Sequence, residues 1–191
     1  MNLDRKLPFL AVQAAVLVSA PLLTAEPVIS PGSVTVSNGV FSLPVSITGA
    51  SDVYAFQFDL AFDPYILTLL SISEGSFLPT GGPTTFVPGT IDNTVGTAAN
   101  TADTLTGPVP GATGDGVLAD FEFEATGAGT SPITLSNGIL LDSSLSGIPF
   151  MTSPGSVTVP AVPEPPGLTW IGALGLAGLL LVRRRRLAPA R

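Results

Sequence analysis

Thirteen residues, Asp52 to Pro64, constrain this chain more than any others. Tyr54, Phe56, Phe58, Leu60 and Phe62 are large and apolar, and Ala55, Gln57, Asp59 and Ala61 between them are small or polar. Strict alternation of this kind is the pattern of a β-strand with one face on a core and the other on solvent. Four of the chain's thirteen aromatic residues lie here, so a hydrophobic core must be built on this strand. Asp63-Pro64 ends it, because proline lacks an N–H and restricts the residue before it.

A second stretch repeats the pattern. From Val117 to Thr126, the residues Val117, Ala119, Phe121, Phe123 and Ala125 share one face, and Asp120, Glu122 and Glu124 the other. Around these two strands the sequence predicts shorter ones. They are Ser33–Val36, Val40–Ile47 with Pro44 marking an edge or a bulge, Tyr65–Ile72, Thr84–Val87, Thr90–Asn93 and Val157–Val159. Asn38-Gly39 and Gly49-Ala50-Ser51 read as turns. Ile133–Leu135 and Gly138–Leu141 read as a strand pair around Asn137-Gly138, a favoured hairpin dipeptide. Residues 94–114 are poor in large apolar groups and read as a long surface loop carrying a short strand. Outside the two ends no segment has a helical period. Many short, turn-punctuated strands predict an all-β antiparallel sandwich or jelly roll. Ser30–Val36 (SPGSVTV) recurs as Ser153–Val159, at a separation of 123 residues. This is no solenoid period, and it places similar strands at the first and last edges of the domain.

Charge narrows the function. All seven basic residues are Arg5, Lys6, Arg183 to Arg186 and Arg191, while thirteen of the fourteen carboxylates lie from Glu26 to Glu164. So acidic a middle excludes nucleic acid as a partner, since phosphate recognition needs Lys and Arg. The acidity serves solubility, or divalent cations, although no D-x-[DN]-x-[DN]-G loop is present. The chain has no Cys or His. Nucleophilic catalysis lacks its usual partners and oxyanion stabilisation lacks a cation. A two-carboxylate glycosidase is the one enzymatic arrangement left, and Asp120, Glu122 and Glu124 lie on a strand face that predicts solvated charges. No enzyme, cofactor or metal site is expected.

The ends read as targeting segments. Residues 1–25 have a basic start at Arg5 and Lys6, an apolar run and a small residue, Ala25, before Glu26, as in a secretory signal peptide; an uncleaved anchoring helix is the alternative. Residues 161–166 form a Pro-rich linker, residues 167–182 are uncharged and apolar, and residues 183–191 are basic. Sixteen helical residues reach roughly 24 Å, just short of a bilayer core. Trp170 suits one interface and Arg183, Arg184, Arg185 and Arg186 the cytoplasmic side. Both ends then place residues 26–166, the 26–160 domain with its linker, outside the cytoplasmic membrane. Val162-Pro163-Glu164-Pro165, the apolar helix and the arginine cluster together resemble the PEP-CTERM sorting signal of Gram-negative bacteria. That resemblance implies cleavage near Glu164 by an exosortase, a membrane transpeptidase, and delivery to the cell surface or an exopolysaccharide matrix. A plain membrane anchor is the alternative.

The domain between also resembles a known family. The opening SPGSVTV, the Val53–Pro64 strand with Ile66-Leu67 and Glu74–Leu78, and Gly114–Ala119 with Phe121, Phe123 and Gly129-Thr130 are similar to cohesin domains, the sandwich modules of cellulosome scaffoldins. The resemblance covers most of residues 28–160. It implies a jelly roll of about nine strands whose first and last strands run together. It also implies a dockerin partner lying across the face that holds Ala55, Gln57, Asp59 and Ala61, with Gln57 and Asp59 as the polar contacts. The expected function is therefore an exported, non-catalytic module that binds a dockerin-like protein or an exopolysaccharide. A structural matrix protein with no specific ligand is the alternative.

Overall fold

The computed structural model describes residues 25–37 and 39–161. Eleven strands make up the fold: β1 (Val28–Pro31), β2 (Ser33–Thr35), β3 (Gly39–Ala61), β4 (Leu67–Glu74), β5 (Thr84–Val87), β6 (Thr90–Asp92), β7 (Thr97–Leu105), β8 (Ala112–Ala125), β9 (Gly129–Asp142), β10 (Met151–Thr152) and β11 (Gly155–Val159). A single 3-10 turn, Leu78–Thr80, lies between β4 and β5. Among the described residues no helix is long and apolar enough to cross a membrane. Residues 1–24 of the expected signal peptide, and residues 162–191 with the expected PEP motif, apolar segment and arginines, fall outside the described residues.

The organising element is longer than the alternation predicts. β3 runs for 23 residues through Gly49-Ala50-Ser51, the expected turn. Its first half pairs with β8 and, along Val45–Thr48, with β1. Its second half lies between β7 and β9. The β8 pairing shifts between Ile47 and Ala50 and again between Ala50 and Val53, with Gly49 at φ 68° and Asp52 at φ 57°. These bulges reverse the parity of the strand. Leu43, Val45 and Ile47 are buried before the corner, and Phe56, Phe58 and Leu60 after it. An extra residue in one strand is the standard means of re-aiming the residues that follow. So one strand lines both layers of the sandwich, which explains why a turn signal sits in its middle.

One layer orders β10–β1–β3–β8–β4; the other runs from β2 and β11 through β9, β3 and β7 to the edge strands β5 and β6. Aromatic rings fill the space between them. Phe58 lies against Phe121 with centroids 6.2 Å apart, Phe62 meets Phe123 edge-on at 5.2 Å, and Phe56 stacks on Phe58 at 5.7 Å. Of the residues that the alternation assigns to the core, Phe56, Phe58, Leu60, Phe62, Phe121 and Phe123 are buried. Tyr54 is half-buried instead, because it sits in the bulged corner and its hydroxyl donates to the Gly107 carbonyl at 2.7 Å.

Two expectations need correcting. Asn137-Gly138 is not a hairpin: β9 runs through it as one strand of 14 residues, with Asn137 at φ 51° in a bulge. Residues 94–114 are mostly strand, β7 and the start of β8. β7 is silent in the sequence because its inward residues, Ala98, Thr101, Asp103 and Leu105, include only one large apolar side chain. Pro44 predicts an edge or a bulge, and the β8 register does shift between Val45 and Ser46.

The repeat has a structural meaning. β2 and β11 pair in parallel with Ser33 opposite Ser156, Val34 opposite Val157 and Thr35 opposite Thr158. β1 and β10 continue the same register, Val28 opposite Met151 and Ile29 opposite Thr152. Identical residues of the two copies therefore face each other along β2 and β11. Each terminal segment breaks at its Ser-Pro-Gly as it passes between layers, which accounts for eleven strands where the resemblance implies about nine. Gly155 is required at this crossing, since a Cβ there would collide with the Gly32 carbonyl oxygen.

Phe58 is packed on both Phe56 and Phe121, so Phe58→Ala is expected to cost about 3–5 kcal/mol of stability. Equilibrium denaturant unfolding of the full chain measures it; a loss below about 1 kcal/mol would show a site able to collapse around the change.

Candidate partner-binding face

The outer face of β9, β3, β7 and β5 carries the residues expected to meet a partner. Ala55 and Gln57 of β3 are flanked by Ala102 and Thr104 of β7, Thr85 and Val87 of β5, and Ile139 and Leu141 of β9. Together they line a shallow, mainly apolar depression of about 290 Å³. Val87 is 49 % exposed and Ile139 47 %. Large aliphatic groups this exposed on a sheet otherwise made of small and polar residues are the part of the face able to gain most from being covered. A wider hollow of about 680 Å³ opens between Glu26-Pro27 and Ile148-Pro149, at the border of the described residues.

Asp59 explains how the apolar groups come to face outward. Its Oδ1 accepts the Asn100 backbone N–H at 2.7 Å, and its Oδ2 accepts the Asn137 side-chain amide at 2.6 Å. Asn100 (φ 60°) and Asn137 (φ 51°) both occupy the left-handed region, which asparagine tolerates better than most residues. Each marks a register break, one in β7 and one in β9, opposite Phe58–Leu60 and Gln57–Asp59 of β3. In β9 the break reverses parity: Ser131 and Ile133 point inward before it, Leu140 after it. Ile139 and Leu141 thereby reach the outer face. Asp59 thus clamps the bulges of both neighbouring strands.

The sequence pairs Gln57 with Asp59 as polar partner contacts. The structure brings them to one face and gives them different surroundings. Gln57 touches only the Asn100 side chain, at 3.5 Å, and borders the depression, whereas Asp59 has both oxygens engaged by its own fold. Sequence reasoning misses Val87, Ile139 and Leu141. Val87 lies on a four-residue strand, and the other two change face only through a bulge that the sequence presents as a turn.

A second carboxylate fixes the β3 corner. Asp52 accepts the Ser143 hydroxyl at 2.8 Å and the Gly111 N–H at 2.9 Å. These bonds, the Ser143 hydroxyl first, hold its carboxyl below the usual range. Asp92 is lowered likewise by the Thr94 and Val95 N–H groups. Among the described residues no three acidic side chains converge on a site that could hold a metal ion.

This arrangement is that of a known module. A family model for the cohesin domain matches residues 27–159. The chain belongs to the cohesin-domain family. Solved cohesins share its fold. The non-cellulosomal cohesin of the hyperthermophilic archaeon Archaeoglobus fulgidus is 19% identical over 72% of this chain and 93% of its own, with a TM-score of 0.53. The OlpA cohesin of Clostridium thermocellum, solved in a type I cohesin–dockerin complex, is 16% identical over 71% of this chain and 99% of its own, at 0.59. The third cohesin of ScaC from Acetivibrio cellulolyticus, in complex with the ScaB dockerin, is 25% identical over 71% and 99%, at 0.57. No match was found among curated proteins. Cohesin domains are non-catalytic binding modules, in keeping with the non-enzymatic reading of the residues.

Removing the Asp59 carboxylate exchanges two charge-assisted hydrogen bonds, to the Asn100 N–H and the Asn137 amide, for bonds to water. Asp59→Ala is expected to destabilise the domain by about 1–3 kcal/mol. It should also raise amide exchange at residues 98–101 and 136–139, where the bulges relax. Exchange read by mass spectrometry checks this; a loss of stability with unchanged local exchange would place the role of Asp59 elsewhere.

Proposed function

We propose that this cohesin domain is an exported, surface- or matrix-targeted module that captures a dockerin-like protein through the β9–β3–β7–β5 face. The observation that supports this most is the exposed pair Val87 and Ile139 beside Ala55, Gln57 and Ala102. Small central residues leave the face flat enough to admit another folded surface, and the aliphatic groups supply the desolvation that holds it. A protein partner is favoured over a polysaccharide by the aromatics. Among the described residues Tyr65 is the one exposed aromatic side chain, and it lies in the β3–β4 turn, away from the face. Sugar-binding faces depend on aromatic platforms, and none is present among the residues of this one. The partner meets a surface without a single Lys, Arg or His from residue 25 to residue 161. It is therefore neutral or basic at its contact, and a basic partner binds less tightly as salt rises.

The tail completes the proposal. Val162-Pro163-Glu164-Pro165, the apolar segment and Arg183 to Arg186 hold the exported domain at the membrane until exosortase cuts beside Glu164. The domain then passes to the cell surface or the exopolysaccharide matrix of a Gram-negative host. Glu164 acts here as a substrate residue.

The face is tested with purified type I dockerins by titration calorimetry. Ile139→Asp is expected to weaken binding by at least about 30-fold, the loss of a central contact worth ~2 kcal/mol. Leu70→Asp, on exposed β4, should leave affinity unchanged. Equal losses in the two variants would move the interface off this face.

The tail has a separate test. Glu164→Ala should leave membrane insertion intact, because the acid lies outside the apolar segment, and block processing. Mass spectrometry of the surface-exposed protein locates its C-terminus. A mature form still carrying Leu179 to Arg191 in an exosortase-positive host would make the tail a plain anchor.

A further inference from the structure

Directly behind the partner-binding face lies a pair of carboxyl groups that the binding reading does not use. Asp103 of β7 points between the layers and is 2 % exposed. Its Oδ1 accepts the Thr104 N–H at 2.8 Å, while its Oδ2 is buried with no hydrogen-bond partner. Glu74, at the end of β4, is brought to this side of the core by Thr84, which pairs with Leu105, the next inward residue of β7 after Asp103. Glu74 in turn accepts a hydrogen bond from the Thr84 hydroxyl at the start of β5. Two ionised carboxylates offer each other only acceptors. A bond between them exists only when one carries a proton, and that proton satisfies the buried Oδ2.

No cation is at hand among the described residues to replace the proton. β5 and the 3-10 turn carry no titratable group, and β3 presents Phe56 opposite Asp103. β6 has only Asp92, at the far end of β7 opposite Thr97. β8, packed on β4, brings Asp120 opposite Ser73, with Asp115, Glu122 and Glu124 beyond it, all acidic.

We propose that the buried Asp103 carboxyl keeps a proton beside Glu74 and that the two side chains act as a pH-sensitive latch on β5, the edge strand of the proposed partner-binding face. β5 is four residues long and its ladder runs along β7 alone, with Phe86 opposite Asp103 and Thr85 opposite Thr104. The Thr84–Glu74–Asp103 chain ties that strand to the ends of β4 and β7. Thr85 and Val87 of β5, and Ala102 and Thr104 on either side of Asp103, line the binding depression. Loss of that proton sets a second negative charge, on buried Asp103, beside half-buried Glu74. β5 then loosens and takes its share of the face with it. The coupling to binding rests on the function proposed above; the latch itself does not.

Burial, and then the charge of Glu74, push the Asp103 carboxyl up to about 7 from its ordinary 3.8. The folded protein thus holds a proton that the unfolded chain has released. Stability conferred by the pair is present below about pH 4, declines as pH rises toward 7, and is level above that. With no His or Cys in the chain, no other side chain of ordinary pKa titrates between pH 5 and 8.

The experiment uses the full-length chain in non-ionic detergent with a chelator present. The midpoint of thermal unfolding should fall by at least about 5 °C from pH 5 to pH 7.5. Exchange protection of the amides of residues 84–87, corrected for intrinsic rates, should drop by up to about tenfold from pH 6 to pH 8. Asp103→Asn removes the titrating group and should abolish both dependences; Glu74→Gln leaves Asp103 buried and should weaken both, and it serves if the first variant fails to fold. Asp120→Asn should retain them. A flat wild-type profile, or a slope that survives both substitutions, overturns the latch. So does stabilisation by millimolar calcium at pH 8 that a chelator reverses, which would assign the pair to a cation. Where a type I dockerin binds, its affinity should fall about tenfold between pH 6 and pH 8 in the wild type alone; an unchanged affinity overturns the coupling to the face.

Discussion

The Asp59 carboxylate sits on the middle strand of the binding layer and holds a left-handed asparagine on each side. The Asn100 N–H and the Asn137 amide both donate to it, at 2.7 Å and 2.6 Å. Each asparagine stands in a bulge, and a bulge reverses which residues face the core. The composition of the outer face follows from this clamp. Without the bulge at Asn137, Ile139 and Leu141 would carry the parity of Ser131 and Ile133 and point inward, where Phe56 and Phe58 already fill the space. The same carboxylate therefore keeps two aliphatic groups out of the core and on the surface proposed to meet a partner.

The sequence makes the period-2 elements legible and hides those in which the period breaks. Phe56 to Phe62 on β3, and Ala119, Phe121 and Phe123 on β8, alternate cleanly, and they form the core as expected. Gly49-Ala50-Ser51 and Asn137-Gly138 have the composition of turns because a bulge needs the same permissive backbone as a turn. Composition alone does not separate a chain that reverses from one that shifts by a residue. β7 fails for another reason. Its inward face carries Thr101 and Asp103, polar groups placed within the core, so no hydrophobic alternation marks it. The proposed binding face is half legible: Gln57 and Asp59 lie on it, whereas Val87, Ile139 and Leu141 depend on bulges and on an edge strand four residues long.

The terminal repeat ties both ends of the domain into one register. Because β1–β2 and β10–β11 run parallel, the described chain enters beside Met151 and leaves beside Val36, at opposite ends of the sandwich. Parallel pairing of sequence-distant segments is slow to form, since the closure of some 120 residues precedes it. The repeat compensates with matched side chains at every step of the β2–β11 pairing.

The absence of Lys, Arg and His from the described residues sets how the carboxylates are held. Asp52, Asp63, Asp92, Asp115 and Asp142 accept backbone N–H groups, and Asp120 and Glu122 accept serine hydroxyls. Neutral donors of this kind fix geometry as salt bridges do, and being local and short they lose little to screening by salt. They also favour the ionised form, as the lowered pKa values of Asp52 and Asp92 show. Such a scheme works wherever a loop or hydroxyl can be brought to the acid. It fails between β4 and β7, where Asp103 meets Glu74 and the one hydroxyl nearby, that of Thr84, is spent on Glu74. Among the described residues, where acids are organised without bases, the proton proposed for Asp103 takes the place of a donor.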